Sequence, residues 1–133
     1  DPEVYLSGRQ QYVNICAGCH GNDGKGIERF APPLRNSEWV LGSEKRLALI
    51  LTHGMQGPVT VAGKEYDMPA IMPEMPSFSN LDGEKMASIM TYIRNEWGHK
   101  ASPVDPSSVG MYRIRNQGKI EPWTQEELLN IED

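Results

Sequence analysis

The stretch Cys16-Ala17-Gly18-Cys19-His20 decides how the rest of this chain is organised. Two cysteines separated by two residues and followed directly by a histidine are typical of a covalent attachment site for c-type haem. The two intervening residues turn the backbone so that both sulfurs face one edge of a porphyrin, where each can form a thioether. The histidine then lies beneath the ring, within reach of the iron. The motif therefore predicts one covalent haem c, attached through Cys16 and Cys19 and ligated by His20.

The sequence gives weaker support to the other uses of a Cys-x-x-Cys pair. A zinc site needs two further ligands at suitable spacing, and the remaining histidines, His53 and His99, are far apart in the sequence. A thioredoxin-like redox pair requires a βαβ pattern, which does not precede Cys16. A disulfide between the two cysteines would close a very tight ring. Haem attachment is the use that the motif favours.

The composition limits the class of protein. A chain of 133 residues is sufficient for one domain with a hydrophobic core. Its ten prolines and apolar fraction of 38% suggest a loop-rich fold in which a haem supplies part of the interior. A net charge of −5 argues against a nucleic-acid partner, because phosphate contacts need a basic surface. No stretch approaches the roughly 20 apolar residues of a membrane-spanning helix.

The chain begins Asp1-Pro2, without an initiator methionine. We interpret this start as that of a processed mature protein or of a domain within a longer chain. Because the thioether attachment of haem takes place outside the cytoplasm, we expect a periplasmic or other extracytoplasmic location.

Three helices are predicted from capping residues and apolar periodicity. The first begins after Asp1 and leads into the haem motif, and the second follows Ser43 and ends near Thr52. The third follows Asp82 and carries the strongest apolar stripe. That stripe consists of Met86, Ile89, Met90, Ile93 and Trp97.

The remaining segments are predicted to be irregular, except for one hairpin and one short helix. Residues 59–61 and 64–66 flank an Ala-Gly turn, which indicates two short antiparallel strands. The methionine-rich stretch 68–76 contains three prolines and is expected to be extended. Residues 100–133 start as proline-rich coil and end with a capping box at Thr124 ahead of a short helix.

With these elements placed, the chain resembles the class I c-type cytochromes from about Val4 to Trp97. The resemblance implies an all-α fold in which helices wrap round the covalent haem, with a small hairpin and a C-terminal extension. We therefore divide the chain into a monohaem cytochrome c domain at residues 1–99 and an extension at residues 100–133 that packs on this domain.

The resemblance also assigns roles to residues outside the haem motif. In the family, a proline carbonyl accepts a hydrogen bond from the haem histidine, and a leucine two residues further on packs against the porphyrin. Pro32 and Leu34 stand at these positions, so Pro32 would orient His20. The family crosses its first and last helices at a glycine and two aromatic residues. The matching positions here are Gly8, Tyr12 and Tyr92.

A looser similarity links the chain to one subgroup of these cytochromes, and it rests on four short stretches. They are Trp39-Val40, His53-Gly54, Gly57-Pro58 and Met75-Pro76-Ser77-Phe78. The monohaem domains of that subgroup serve periplasmic dehydrogenases and copper nitrite reductases as electron carriers, sometimes fused to them. The similarity implies that this chain has a redox protein partner, such as a dehydrogenase, reductase or oxidase.

The resemblance further implies that a methionine is the second axial ligand of the iron. Four of the seven methionines are less suitable, because two lie on the helical stripe, one in the tail and one after the second helix. The family ligand precedes the last helix by a short loop and has a proline after it. Met68, Met72 and Met75 all have that proline, but only Met75 has the matching distance to Asp82. Met72 and then Met68 remain as alternatives.

Further side chains are candidates for the surroundings of the haem. Trp39, Arg46 and Tyr66 could hydrogen-bond the haem propionates, although each is also compatible with the edge of the core or the surface. His53 is an alternative axial ligand, or else a helix-end histidine that bonds nearby carbonyls. His99 follows a helix end and is expected to be solvated.

Ligation of the iron by His20 and Met75 would leave no position for a substrate, so the resemblance predicts a carrier of single electrons and not an enzyme. Two alternatives remain open. The chain could be a haem enzyme or gas-binding sensor with a labile sixth ligand, or the electron-transfer module of a larger oxidoreductase. We expect a monomer or a module of a larger complex, without nucleic acid and without a membrane span.

Overall fold

Seven helices and two small antiparallel sheets make up residues 1–132, the part of the chain that the computed structural model describes. The helices are α1 (Pro2–Ile15), α2 (Ala17–His20), α3 (Glu38–Leu41), α4 (Glu44–His53), α5 (Gly83–Ile93), α6 (Pro106–Arg115) and α7 (Gln125–Leu129). The strands are β1 (Met55–Gln56), β2 (Val59–Val61), β3 (Lys64–Tyr66) and β4 (Glu74–Met75). Strand β1 pairs with β4, and β2 pairs with β3 in the predicted hairpin. This helix-rich arrangement agrees with the predicted all-α fold class.

Side-chain caps explain where the three predicted helices begin. Asp1, Ser43 and Asp82 each accept a hydrogen bond from a backbone N–H two or three residues further on, at 2.9, 3.1 and 2.8 Å. Such bonds satisfy donors that have no partner inside the helix. Gly54 follows α4 with a φ of 85°, a conformation that favours glycine. The predicted starts of all three helices are confirmed.

Helices α1 and α5 cross at a glycine, as the resemblance implies. Gly8 is buried, and a Cβ atom there would overlap the carbonyl oxygen of Ser88. The contact therefore requires a residue without a side chain. Beside it, the rings of Tyr12 and Tyr92 lie 5.5 Å apart between their centres, and both residues are buried. The crossing fixes the end of α1, from which the haem motif continues.

Helix α5 ends at Ile93, one turn earlier than predicted. The chain then turns back, and Trp97 adopts a positive φ of 57°. This turn carries the indole to the loop after His20, where Nε1 donates a hydrogen bond to the carbonyl oxygen of Asn22 at 3.0 Å. The predicted helical position of Trp97 is therefore wrong, because its ring contacts this loop instead of extending the apolar stripe.

His99 is buried, which contradicts the expectation that it is solvated. Its side chain is 7% exposed. Nδ1 donates a hydrogen bond to the carbonyl oxygen of Ile93 at 2.8 Å, and Nε2 accepts one from the backbone N–H of Asn36 at 3.0 Å. The ring therefore joins the end of α5 to the loop before α3. The sequence does not show this contact, because Asn36 is distant in the chain.

The segment after residue 99 contains a helix that the sequence analysis missed. Helix α6 begins at Pro106 after Asp105, whose carboxylate accepts a hydrogen bond from the N–H of Ser107 at 2.9 Å. An acidic N-cap followed by proline is a helix-start signal, but the high proline content of the segment suggested coil. Val109 of this helix is fully buried in the largest of the hydrophobic clusters, which we call the main hydrophobic cluster. This cluster also contains residues of α1, α4 and α5, such as Tyr12, Leu47 and Met86. The last helix, α7, has the predicted capping box.

Gly8→Ala is expected to lower the free energy of unfolding by about 1–3 kcal/mol, because the new methyl group would overlap backbone atoms of α5. Gly110→Ala is the matched control. Gly110 lies within α6, and beyond its chain neighbours and the backbone of its own helix no described atom stands within 4 Å of the place that its Cβ would take. Alanine there should stabilise the protein by about 0.5–1 kcal/mol. Denaturant unfolding of the holo-proteins measures both changes, and an unchanged stability of Gly8→Ala would contradict the close crossing.

Candidate functional site

The haem motif lies on a turn of helix that directly follows α1. Cys16 occupies the junction, and its N–H donates a hydrogen bond to the carbonyl oxygen of Tyr12 at 2.8 Å. The N–H of His20 then donates to the carbonyl oxygen of Cys16 at 3.0 Å. Residues three and four positions apart share one side of a helix. The fold therefore brings Cys16, Cys19 and His20 to one face of this turn, as covalent attachment to a flat ring requires.

Cys16 and Cys19 form no disulfide with each other, and Cys16 is buried whereas Cys19 is exposed. Burial, and to a smaller extent the neighbouring Cys19, raises the pKa of Cys16 to about 12. A redox-active Cys-x-x-Cys pair needs a lowered thiol pKa, so the surroundings of Cys16 disfavour that use. Within residues 1–132, no group of three or more His, Cys, Asp or Glu side chains is arranged to hold a metal ion. The zinc alternative therefore lacks its ligands in the described part of the chain.

The His20 ring is held in one orientation by a backbone carbonyl. Its Nδ1 lies 2.9 Å from the carbonyl oxygen of Pro32, which can only accept, so Nδ1 carries the proton. This is the contact that the resemblance implies. Burial lowers the pKa of His20, and the bond to Pro32 opposes that shift only in part. The imidazole is therefore neutral, and its Nε2, to which no residue in 1–132 gives a hydrogen bond, keeps a lone pair for a metal.

The loop between His20 and Pro32 places this carbonyl. The N–H of Gly26 donates to the carbonyl oxygen of His20 at 2.8 Å, and the N–H of Leu34 donates to that of Gly24 at 2.8 Å. Gly26 has a φ of 79°, and a Cβ there would lie 2.7 Å from the carbonyl oxygen of Ala31. The tight return of the chain therefore depends on glycine at this position. Leu34 is partly buried against the main hydrophobic cluster.

The three candidate methionines differ in burial. Met75 lies in β4 and is partly buried against two hydrophobic clusters. Met72 and Met68 are 49% and 62% exposed. A methionine that bound the iron of a covalently attached haem would be shielded from solvent by the ring, so burial supports Met75, and its assignment stays a prediction. Met86 and Met90, which the sequence assigns to the core, are fully buried.

The predicted propionate ligands have other partners in the structure. The indole Nε1 of Trp39 donates its hydrogen bond to the carbonyl oxygen of Thr60 at 2.9 Å. The Nε of Arg46 donates to the carbonyl oxygen of Leu128 at 2.7 Å, and its guanidinium also reaches two further carbonyls of the C-terminal segment. Both side chains therefore bind backbone carbonyls that the tertiary fold brings near, and their contacts with the propionates stay predictions. For Tyr66, which is partly buried, the propionate contact stays a prediction.

His53 interacts with a tryptophan from the C-terminal segment, a contact that the sequence analysis missed. The indole Nε1 of Trp123 donates to Nδ1 of His53 at 3.1 Å, and the ring centres lie 5.8 Å apart. Burial, and then the charge of Lys119, lowers the pKa of His53, which keeps Nδ1 able to accept. A signal for the burial of Trp123 was present in the sequence. Trp123 directly precedes Thr124, the N-cap of α7. An apolar residue in that position commonly packs against the residue four positions after the N-cap, which is Leu128 here. Trp123 and Leu128 are buried in one cluster.

The residues at this site fit a covalently bound haem. They provide two thiols, a neutral imidazole and a partly buried thioether. Several apolar side chains at the border of the core are also only partly buried, and they include Leu34, Met55, Tyr66 and Phe78. For each of them that a flat apolar group covered, the protein would gain about 25 cal/mol per Å² of apolar surface removed from water.

Comparison with known proteins points to one family. The family described as cytochrome c matches residues 6–97. The chain is 34% identical over 87 residues to cytochrome c-552 of Thermus thermophilus, an alignment that covers 62% of the chain and 63% of that relative.

Two further relatives are parts of larger enzymes by name. The chain is 32% identical over 115 residues to the alcohol dehydrogenase (quinone), cytochrome c subunit, of Gluconacetobacter polyoxogenes, covering 85% of the chain and 23% of the relative. It is 38% identical over 63 residues to the cbb3-type cytochrome c oxidase subunit CcoP of Helicobacter pylori, covering 44% of the chain and 21% of the relative. The chain thus spans less than two thirds of the length of these relatives. Within residues 1–132, no helix combines the length and apolar character that a membrane span requires.

Met75→Ala should abolish the weak far-red absorption that sulfur ligation gives to ferric haem, and should open the iron to cyanide. The matched controls are Met72→Ala and Met68→Ala, which change exposed side chains of the same loop. Both controls should keep the band and change the stability by no more than about 0.5 kcal/mol. Visible spectra of the three ferric holo-proteins decide the assignment. A band that survives Met75→Ala and disappears in Met72→Ala would move the ligand to Met72.

Proposed function

The chain belongs to the cytochrome c family and binds haem c covalently, and we propose that it carries single electrons between redox proteins through an iron held by His20 and Met75. The observation that carries the proposal is the 2.9 Å hydrogen bond between Nδ1 of His20 and the carbonyl oxygen of Pro32. This bond fixes the tautomer and the plane of the ring, so that Nε2 is the atom available to the iron.

The bound haem iron supplies a one-electron couple between its ferric and ferrous states. Cys16 and Cys19 tether the group, so it stays in place when its charge changes. The thioether of Met75 favours ferrous iron and raises the potential relative to a harder ligand. Two protein ligands leave no iron position for a substrate. We therefore assign the chain a carrier role and not catalysis at the iron.

The surroundings of His20 suit rapid electron exchange because little in them can move. The residue is 9% exposed. The hydroxyl of Tyr12 donates to the carbonyl oxygen of Gly21 at 2.7 Å, and the N–H of Gly26 donates to that of His20 at 2.8 Å. These bonds hold the backbone next to the ligand. A site that is already organised needs little rearrangement when an electron arrives or leaves.

An exposed apolar surface is formed by two loops, one that follows His20 and one that precedes Met75. We call it the loop patch, and it consists of Ile27, Phe30, Met68 and Met72. The N–H of Met72 donates to the carbonyl oxygen of Phe30 at 3.0 Å, which joins the two loops. Phenylalanine and methionine are enriched where proteins meet. We assign to the loop patch the small, transient contact through which a redox partner docks.

The partner that we propose is an extracytoplasmic oxidoreductase, which the chain serves as a separate monomeric carrier or as a module of a larger complex. Similarity to relatives named as a dehydrogenase subunit and an oxidase subunit supports this partner class. Thioether attachment of haem takes place outside the cytoplasm, which supports a periplasmic location. The net charge of −5 suits a protein partner rather than nucleic acid.

Electron self-exchange between ferrous and ferric copies of the holo-protein tests this function without any other partner. Phe30→Glu should slow the exchange by about tenfold or more, because two like charges then meet in the contact. Leu6→Glu is the matched control, since Leu6 is 60% exposed on α1, outside the loop patch. Exchange spectroscopy of haem methyl signals measures the rates. Equal slowing by both substitutions would contradict docking at the loop patch.

The same preparation tests the alternative of a ligand-binding haem. We expect the ferrous native protein to remain unchanged when carbon monoxide is added, because both axial positions are filled. Immediate binding, seen as a shift of the main haem absorption band, would contradict the carrier function and favour a haem enzyme or gas sensor.

A further inference from the structure

Strand β1 lies between the proposed ligand strand and the C-terminal segment. On one side, Met55 stands opposite Met75 in the antiparallel β1–β4 pair. On the other side, Met55 forms a parallel bridge with Trp123. The N–H of Trp123 donates to the carbonyl oxygen of Gly54 at 3.0 Å, and the N–H of Gln56 donates to that of Trp123 at 2.8 Å. Three backbone segments therefore lie side by side. Met75, the proposed iron ligand, lies on one side of β1, and Trp123 lies on the other.

The side chain of Trp123 anchors this edge. It is 8% exposed and packs with Leu49, Ile50 and Leu128. Its Nε1 donates to Nδ1 of His53 at the end of α4, and α4 leads directly into β1. One tryptophan thus holds β1 through its backbone and the preceding helix through its ring.

Met75 also packs against the cluster that contains Trp123. The members of that cluster are Leu49, Ile50, Trp123 and Leu128, and both Met55 and Met75 lie against it, partly buried. A change in the packing of the indole would therefore act on Met75 by two routes, through the strand pairing and through the cluster.

The C-terminal segment that carries Trp123 is held to the rest of the protein on both sides of this residue. The amide of Gln56 donates to the carbonyl oxygen of Pro122 at 2.9 Å. The backbone N–H of Thr60 donates to the side-chain oxygen of Gln125 at 2.6 Å. The guanidinium of Arg46 binds the carbonyl oxygen of Leu128 at 2.7 Å. These contacts fix where Trp123 lies.

From these contacts we propose that Trp123 is a positioning residue for the axial thioether of Met75. It acts through β1, and by holding β4 in place it limits how often the sulfur can leave the iron. The C-terminal segment thereby sets the lability of the sixth ligand and contributes to the redox potential. This inference rests on the proposed ligation of the iron by Met75.

Binding of imidazole to the ferric holo-protein measures this effect, because imidazole must displace the sixth ligand. The apparent Kd falls as the fraction of protein with a free iron position rises. Trp123→Ala should lower the Kd for imidazole by about tenfold or more and lower the midpoint potential. Trp123→Phe keeps an aromatic ring but loses the bond to His53, so it should give a smaller change in the same direction and covers the case in which the alanine variant fails to fold.

Val109→Ala is the control for a general loss of stability. Val109 is fully buried in α6, belongs to the same extension and takes no part in the pairing of β1. Because Met75 borders the cluster of Val109 as well as that of Trp123, this control isolates the route through the strand pairing. This substitution should lower the Tm while leaving the Kd for imidazole within about twofold of the native value. Equal changes of the Kd in Val109→Ala and the Trp123 variants would overturn the inference, because Trp123 would then act only through stability.

Met75→Ala separates failure of this inference from failure of the proposed ligation. If Met75→Ala loses the far-red band while neither Trp123 variant changes the Kd or the potential, the positioning role of Trp123 is overturned and Met75 remains the ligand. If the band survives Met75→Ala, the ligand assignment fails and the inference fails with it. A lower Kd in the Trp123 variants, together with loss of the band in Met75→Ala, supports both.

Discussion

The hydrogen bond between His20 and the carbonyl oxygen of Pro32 is the interaction on which the rest of the structure depends. A buried imidazole needs a partner for its N–H, and Pro32 supplies it at 2.9 Å. The chain must therefore return to His20 within a short loop, which it does through Gly26 with a positive φ. The same loop receives the indole of Trp97, whose turn follows the end of α5. The need of the His20 ring for a hydrogen-bond partner thus accounts for the loop between His20 and Pro32 and for the glycine at position 26. The turn after α5 places Trp97 against this loop.

Residues 100–132 of the C-terminal extension contact the rest of the protein through buried polar groups as well as apolar packing. Arg94 is 5% exposed, and its guanidinium donates to the carbonyl oxygens of Val40 at 2.9 Å and Ser102 at 3.1 Å. A buried donor left without a partner costs about 1–3 kcal/mol or more, so Arg94 requires the chain beyond α5. The family match ends at residue 97, whereas these contacts continue past it. In our account, the extension supports the haem site through Trp123, which pairs with the strand next to Met75.

Signals that act over a few residues were sufficient to predict much of this structure. The cap at Asp82 and the turn at 62–63 depend only on near neighbours, and both were predicted correctly. The partners of Trp39 and Arg46 could not be predicted, because they are carbonyl groups of the hairpin and the extension that only the tertiary fold brings near. For the same reason the pairing of β1 with β4 was missed, since strands of two residues carry no pattern of their own. The packing of Met75 next to the C-terminal extension is therefore visible only in the three-dimensional structure.

The ferrous holo-protein offers the most direct test of the central claim that His20 and Met75 hold the iron. In ferrous haem proteins, the ring current of the porphyrin shifts the methyl protons of an axial methionine far upfield, outside the range of ordinary protein signals. Labelling the methionine methyl groups with 13C and assigning them along the chain identifies the residue. We predict one such shifted methyl signal, and we predict that it belongs to Met75. The absence of a shifted methyl signal, or its assignment to Met72 or Met68, would contradict this claim.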